Sequence, residues 1–357
     1  MHLVSVDLRR RHDERRHGRG AGRRILFVFL DGVGIGSSDP GRNPIAAAKP
    51  RLLRYAAGDG EALPLEGRWC PTDAGLRVPG LPQSATGQTS LFSGVNAARL
   101  VGRHWPGFPT KPMRQLLEEA SLFRRLRRVG KEVAFANAFS PSFFSQRPRL
   151  VSATTAMTES AGVPLRTFND LRAGRALYMD FTNRRLRRRS YDVPELGPKE
   201  AAAQLVRLAG SYDLTLYEYF LTDLVAHRGS FEDAVTLVRE LDEFLLAAAE
   251  RAGEAGISLL ISSDHGNLED ASSRMHTGNP VGTAVWGAFA EKLPLIKDLT
   301  DVTPLIETYL TEGGLAAKPA EGPAGRGPAI LPRPRLGRRE YRSDEGEHRV
   351  VPYRGRP

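Results

Sequence analysis

Ile257-Ser258-Leu259-Leu260-Ile261-Ser262-Ser263-Asp264-His265-Gly266-Asn267-Leu268-Glu269-Asp270, followed closely by His276-Thr277-Gly278-Asn279-Pro280, decides how this 357-residue chain is read. The short apolar run Ile257 to Ile261, bounded by turn residues, predicts a buried strand. The Asp264-His265 pair then falls at the strand's carboxyl end, where open α/β sheets gather their chemistry. A carboxylate beside an imidazole, with a further histidine downstream, is a donor set suited to a zinc- or manganese-type ion. Taken alone the stretch also reads as a turn carrying a stray histidine, so the rest of the chain has to decide.

Two other stretches repeat the pattern. Ile25 to Leu30 is a six-residue apolar run that predicts a buried strand ending on Asp31, followed by Gly32, Gly34 and Gly36. Those glycines lack the Gly-x-Gly-x-x-Gly spacing of a dinucleotide loop, which leaves Asp31 as a metal ligand or as the cap of the next helix. Asp213 to Asp223 reads as another apolar strand closed by an acid, with His227 four residues on. Residues 25–317 contain four histidines, and three of them, His227, His265 and His276, lie in these motifs. Three strand-end acids meeting in one crevice would repel strongly unless cations neutralised them, and two ions about 4 Å apart would do so.

Between these motifs, Gln83-Ser84-Ala85-Thr86-Gly87-Gln88 precedes a helical pattern and predicts a helix N-terminus. A hydroxyl there faces the positive end of the helix dipole, which favours both an alkoxide and a bound phosphate; a plain serine cap is the simpler alternative. Helices are further predicted near Asn43 to Tyr55, Met113 to Val129, Lys199 to Ala209, Phe231 to Ala252 and Thr303 to Leu310, and strands at Val133 to Ala136 and Ala284 to Ala290. A loop-rich stretch holds Cys70. From about 140 to 196 no long helical period is visible, and this stretch is expected to form a small cap inserted between core segments 25–139 and 197–317. Arg103 and Lys111, and within the cap Arg147, Arg149 and Arg166, are candidate substrate-binding cations by residue type.

Composition bounds the reading. Apolar residues make up 41% and charged residues 26%, ordinary for a folded globular chain. The net charge of +10 would suggest a polyanionic partner, but it sits at the two ends. Residues 1–24 hold eight arginines against three acids, and residues 318–357 hold nine arginines and Lys318 against five. The intervening chain is therefore neutral. Both ends are expected to be disordered, solvated tails rather than nucleic-acid binders. No apolar run is long enough to span a bilayer, and the lone Cys70 cannot form an intrachain disulfide, so a cytoplasmic enzyme is the expectation.

Jointly the motifs resemble the metal-dependent branch of the alkaline phosphatase superfamily, and within it cofactor-independent phosphoglycerate mutase and phosphopentomutase. The resemblance covers about 25–137 and 197–310. Phe29-Leu30-Asp31-Gly32-Val33-Gly34 resembles the first metal-ligand loop and Gln83-Ser84-Ala85-Thr86-Gly87-Gln88 the nucleophile loop. Asp223-Leu224-Val225-Ala226-His227, Ser263-Asp264-His265-Gly266-Asn267 and His276-Thr277-Gly278-Asn279-Pro280 resemble the remaining ligand motifs. The resemblance implies a three-layer α/β/α core and two divalent ions, Mn²⁺ or Zn²⁺. One would be held by Asp223, His227 and His276, the other by Asp31, Asp264, His265 and the oxygen of Ser84. It further implies Ser84 as catalytic nucleophile, forming a phosphoserine from a small phosphorylated metabolite.

Where the chain departs from the mutases, the expectation broadens. Gln83, Ala85, Thr86 and Gln88 differ from the mutase loop, no histidine follows Gly87, and the cap is much shorter than the phosphoglycerate mutase lid. Phosphomutase and phosphomonoesterase are both compatible with the residues. The alternatives are a phosphodiesterase of the same superfamily and a non-catalytic basic protein binding RNA or anionic surfaces through its tails.

Overall fold

β1, Ile25–Leu30, is buried along its whole length, and its side chains alternate between two cores. Leu26, Val28 and Leu30 pack with one set of helices, and Ile25, Phe27 and Phe29 with the other. A strand covered on both faces needs apolar residues at every position, and this one has them. The computed structural model describes residues 22–58 and 62–312. The expected tails lie outside these residues, except for 22–24.

Around β1 the sheet is completed by β2 (Arg68–Thr72), β3 (Val133–Phe135), β4 (Leu214–Tyr219), β5 (Ser258–Ser262) and β6 (Val281–Trp286), in the order β2-β6-β5-β1-β4-β3. β1 runs parallel to both β4 and β5, and β3 parallel to β4, whereas β6 is antiparallel to β5 and to β2. Helices Pro198–Ala209 and Phe231–Glu254 cover one face. Helices Ser84–Ser93, Lys111–Ala120, Leu122–Arg128, Ala153–Ser160 and Val302–Thr311 cover the other. This is the expected three-layer α/β/α architecture. The parallel strands point their carboxyl ends at one edge, and the acids after β1 and β5 lie there.

Several local expectations differ. β4 ends at Tyr219, and Asp223 sits in the first turn of helix Leu221–Arg228 rather than at a strand end. The apolar run continues because the helix buries Leu221 against the same core, so hydrophobicity alone could not place the boundary. The helix expected near Asn43 to Tyr55 is a short helix, Pro44–Ala48, and a separate 3₁₀ turn, Leu53–Ala57, with Lys49 in a left-handed conformation after the first. Met113 to Val129 is two helices that meet at extended Ser121. The loop around Cys70 is edge strand β2, which tolerates Pro71 because its free side needs no N–H donor. The strand expected at Ala284 to Ala290 is shifted to Val281–Trp286.

Residues 136–197 hold four short helices, Pro141–Gln146, Ala153–Ser160, Phe168–Arg172 and Arg184–Arg187. Part of this stretch belongs to the layers themselves. Met157 is buried in one core, and Phe181 stacks on Phe244 of the long helix with ring centroids 4.4 Å apart. The segment Pro141–Gln146 lies beyond the end of β3 and carries Phe143 and the exposed Phe144.

Candidate metal centre

Asp31 follows β1 directly, and its loop is shaped by close approach. Gly32 has φ +71°, and a Cβ there would meet Asp223 Oδ1 at 2.7 Å. Thr222 Oγ1 donates to the Asp31 carbonyl at 2.5 Å, fastening the start of helix Leu221–Arg228 to the end of β1. One helical turn separates Asp223 from His227, so both project to the same side. Asp223 Oδ2 lies 3.4 Å from His227 Nε2, and Asp223 Oδ1 lies 3.6 Å from His276 Nε2.

The backbone orients these imidazoles. The Arg274 carbonyl lies 2.8 Å from His227 Nδ1, and the Pro82 carbonyl 3.0 Å from His276 Nδ1. A carbonyl can only accept, so each Nδ1 carries a proton and each Nε2 is directed at the cluster. The two Nε2 atoms face each other at 3.1 Å. With both rings neutral, two lone pairs oppose one another there, a repulsion that a shared cation removes. Histidine ligands to metals are commonly held by just such N–H to carbonyl contacts.

The second half of the cluster is more deeply buried. His265 and Asp264 are fully enclosed, and Asp31 nearly so. His265 Nε2 is 3.0 Å from Ser84 Oγ, 3.3 Å from Asp31 Oδ1 and 3.5 Å from Asp264 Oδ2. Gln88 Nε2 donates to Asp31 Oδ2 at 3.2 Å, and the Gly32 N–H to Asp264 Oδ1 at 3.2 Å. Asp31 Oδ1 and Asp264 Oδ2 are left without a hydrogen bond. An uncompensated buried carboxylate oxygen is costly, which makes this pair a fit for a cation.

Electrostatics report the same crowding. Burial, then the neighbouring Asp264 charge, pushes the Asp31 carboxyl up to about 8, and burial also raises Asp264. Burial works against the charged form of His265, but the Asp264 and Asp31 carboxylates outweigh it and hold the imidazolium up to about 10. Burial and the His265 charge bring His276 down to about 4. A divalent ion would invert this pattern by favouring carboxylates and neutral imidazoles.

Two groups of ligand atoms each lie within 4.8 Å of one another: Asp223, His227 and His276, and Asp31, Asp223 and His265. Asp223 belongs to both. All seven sequence candidates, Asp31, Ser84, Asp223, His227, Asp264, His265 and His276, converge. Ser84 is the first residue of helix Ser84–Ser93, whose N-terminus has no side-chain cap. Within that helix Gly87 permits contact with the Asp264 backbone, since a Cβ would lie 2.5 Å from the Asp264 carbonyl oxygen.

The candidate substrate cations have other partners or face solvent, and Arg147 also lies over the Phe143 ring at 5.2 Å. Arg103 is exposed and lies over the Trp105 ring, Lys111 and Arg149 are exposed, and Arg147 pairs with Glu159. Arg166 donates to the Phe135 carbonyl and to the Tyr212 hydroxyl, which is structural work.

Sequence reasoning passed over three supporting residues. Asn267 Nδ2 donates to Asp223 Oδ1 at 2.7 Å, and Gln88 serves Asp31. Glu269 is buried and accepts from the Gly34 N–H at 2.9 Å, the Asn267 N–H at 2.8 Å, Asn279 Nδ2 at 3.1 Å and Thr277 Oγ1. One carboxylate thereby ties the loop after β1 to both loops carrying histidines. An acid two residues beyond the quoted Gly266-Asn267 pair was the available signal.

The description of the Metalloenzyme superfamily matches residues 23–311, most of the chain. The chain belongs to the Metalloenzyme superfamily. Among relatives of this superfamily member, a 2,3-bisphosphoglycerate-independent phosphoglycerate mutase of Mycoplasmopsis pulmonis is 32% identical over 131 residues, 34% of this chain and 25% of that protein. The enzyme of the same name from Aeromonas salmonicida is 34% identical over 140 residues, 36% of this chain and 27% of that protein. The chain thus spans about a quarter of the length of these curated relatives. Among solved structures, the PH0037 protein from Pyrococcus horikoshii shares the fold, with a TM-score of 0.50 over 83% of this chain and 99% of that one, at 13% identity. Among the described residues, no helix is long and apolar enough to cross a membrane.

Proposed function

We propose that this Metalloenzyme superfamily member is a phosphoryl-transfer enzyme using two divalent ions, Mn²⁺ or Zn²⁺, and acting as a phosphomonoesterase or phosphomutase on a small phosphorylated metabolite. The observation that carries the reading is the pair of backbone-oriented imidazole nitrogens, His227 Nε2 and His276 Nε2, opposed at 3.1 Å above Asp223. The orphaned Asp31 and Asp264 oxygens beside Ser84 support it. The phosphoglycerate mutases that the chain resembles in part make phosphoryl transfer the natural chemistry.

On this reading Asp223, His227 and His276 hold one ion. Asp31, Asp264, His265 and the Ser84 oxygen hold the other, with Asp223 close to both. The ions would lower the Ser84 pKa and offset charge on the phosphoryl oxygens. Ser84 Oγ, its proton given up to solvent, attacks phosphorus in line. The bond from phosphorus to the substrate oxygen breaks, and that oxygen takes a proton from water. Water or a second hydroxyl then takes the group, and Ser84 Oγ is reprotonated. The Ser84 and Ala85 N–H groups opening helix Ser84–Ser93 would present a positive terminus to the phosphate, while the Thr86 N–H is taken by the Trp105 carbonyl. Residues near Pro141–Gln146 act as a small cap beside this centre.

The test is an acid-quench experiment with a labelled phosphate ester and added Mn²⁺ or Zn²⁺. Label on Ser84 that disappears in Ser84→Ala is the expected result. Label persisting in that variant refutes the nucleophile.

A further inference from the structure

Beside the cluster lies a cavity of about 570 Å³, within the range of sites that enclose a whole small organic molecule. Asp31, Ser84, Asp223 and His227 form one end. The wall leading away from them is built from Phe108, Phe139, Phe143, Tyr178, Phe220 and Leu224. Phe139 and Phe143 pack at 4.5 Å between ring centroids and form a continuous aromatic surface, with Phe143 only partly buried and Phe108 exposed.

The polar groups of this wall are largely committed to the protein. Asn137 Nδ2 donates to the Glu218 carbonyl at 2.8 Å while its Oδ1 accepts the Glu218 N–H at 2.9 Å, which uses both ends of the amide. Glu218 Oε2 accepts from Thr154 Oγ1 at 2.6 Å. Of lysines and arginines, the lining contains Arg228 among the described residues, while Arg147 is engaged with Glu159 and Arg103 with Trp105. Along Phe139, Phe143, Tyr178 and Phe220 a carboxylate or second phosphate would meet mainly aromatic rings and the buried Glu218 carboxyl, since the lining arginine, Arg228, follows His227 at the metal end and Arg147, 5.2 Å over the Phe143 ring, is already paired with Glu159.

Building on the phosphoryl-transfer reading, we propose that the alcohol part of the substrate is a bulky apolar or ring-bearing group lodged against Phe139 and Phe143, and that compact polyanionic esters such as phosphoglycerate are poor substrates. An apolar leaving group fills the wall and removes aromatic surface from water; a three-carbon acid leaves that surface wet and its carboxylate unpaired.

The experiment compares naphthyl phosphate with glycerol phosphate and phosphoglycerate on the full chain with added Mn²⁺, in wild type and in Phe143→Ala. Phe143 is half-buried on a short helix, and turnover of glycerol phosphate serves as an internal check on folding. Because a naphtholate also leaves more readily than an alkoxide, the variant carries the reading: Phe143→Ala should lower kcat/KM for naphthyl phosphate about tenfold through KM while changing glycerol phosphate less than about twofold. Preference for either small ester, or equal loss on all substrates, overturns the pocket assignment and leaves phosphoryl transfer standing. If no ester is turned over, equilibrium binding of naphthyl phosphate decides. Saturable binding weakened about tenfold by Phe143→Ala upholds the pocket and removes the reaction, and no saturable binding removes both.

Discussion

Truncating Glu269 should destabilise the protein more than truncating any ligand, although Glu269 touches no ligand's metal-facing atom. Glu269→Ala leaves the buried N–H groups of Gly34 and Asn267 without a partner and frees Thr277 and Asn279. Each buried orphan costs about 1–3 kcal/mol, and the two side chains can turn to water, so a loss of about 3–5 kcal/mol is expected. That is a large share of the roughly 5–15 kcal/mol by which folded domains are stable. Glu269→Gln retains one carbonyl oxygen, which satisfies one pair of donors while its NH₂ confronts the other, so about 2–3 kcal/mol should be lost. The assay is urea denaturation in EDTA at constant m-value, followed by Mn²⁺ titration, in which affinity should fall by about tenfold or more as the Asn267 and His276 loops lose their tether. An alanine variant within about 1 kcal/mol of wild type, with unaltered metal affinity, would refute the assignment of Glu269 as the tether.

Metal removal should lower thermal stability, since an ion at a hundred times its dissociation constant contributes about 2.7 kcal/mol per site; calorimetry with and without EDTA measures it, and identical transitions speak against the centre. His227→Ala should reduce bound Mn²⁺ or Zn²⁺ on elemental analysis, and unchanged stoichiometry would defeat its role as ligand. Phe181→Ala, which removes a buried ring stacked at 4.4 Å on Phe244, should cost about 3–5 kcal/mol by denaturation, showing that residues 136–197 are welded to the layers; a loss under about 1 kcal/mol would show that they are not. Burial raises the Glu218 carboxyl to about 8, so folding takes up a proton between its unfolded value and that point, and stability declines as pH rises through this window. The slope attributable to this group is at most about 1.4 kcal/mol per pH unit, so Glu218→Gln should flatten the stability difference between pH values of about 5.5 and 7.5 by about 2–3 kcal/mol. An unaltered profile would count against it.

What the sequence made legible were the buried strands that begin the site. β1 is an uninterrupted apolar run because it is covered on both faces, and β5 ends where its acid begins for the same reason. The seven candidate ligands could be found because chemistry restricts their types and because they sit where strands end or helices begin, or one helical turn on, as His227 does. β2 escaped notice because an edge strand buries little and accepts Pro71. The strand-to-helix change before Asp223 was hidden by Leu221, which is apolar for tertiary reasons that a linear pattern does not carry. Glu269 was invisible as a tether because its partners are three backbone or side-chain donors of its own loops and one from Gly34, 235 positions away. The substrate cations could not be picked out by residue type because an arginine-rich chain also uses arginine for carbonyl contacts and ring stacking, as Arg166 and Arg103 do.

The centre sets folding against charge. Ser84, Asp31, Asp223 and Asp264 come from four separate segments, so their convergence exists only once the sheet and its helices have packed. Asp31 and Asp264 then present two buried carboxyls that share one imidazole, His265, a cost in the metal-free protein that this single partner offsets only in part. The apolar cores on both faces of β1 hold the acids together against that repulsion. On the proposed function, divalent ions return the cost as binding energy, so metal affinity and fold stability are two readings of one quantity. Replacing Asp264 with Asn should therefore move them in opposite directions: the metal-free fold gains stability as one buried charge is lost, while ion binding weakens. Denaturation in EDTA and Mn²⁺ titration of Asp264→Asn test the pair together. A variant that loses stability in EDTA would show that Asp264 is held by the His265 imidazolium and its Gly32 hydrogen bond more strongly than burial and the Asp31 and Asp223 charges oppose it, and the charge argument would fail.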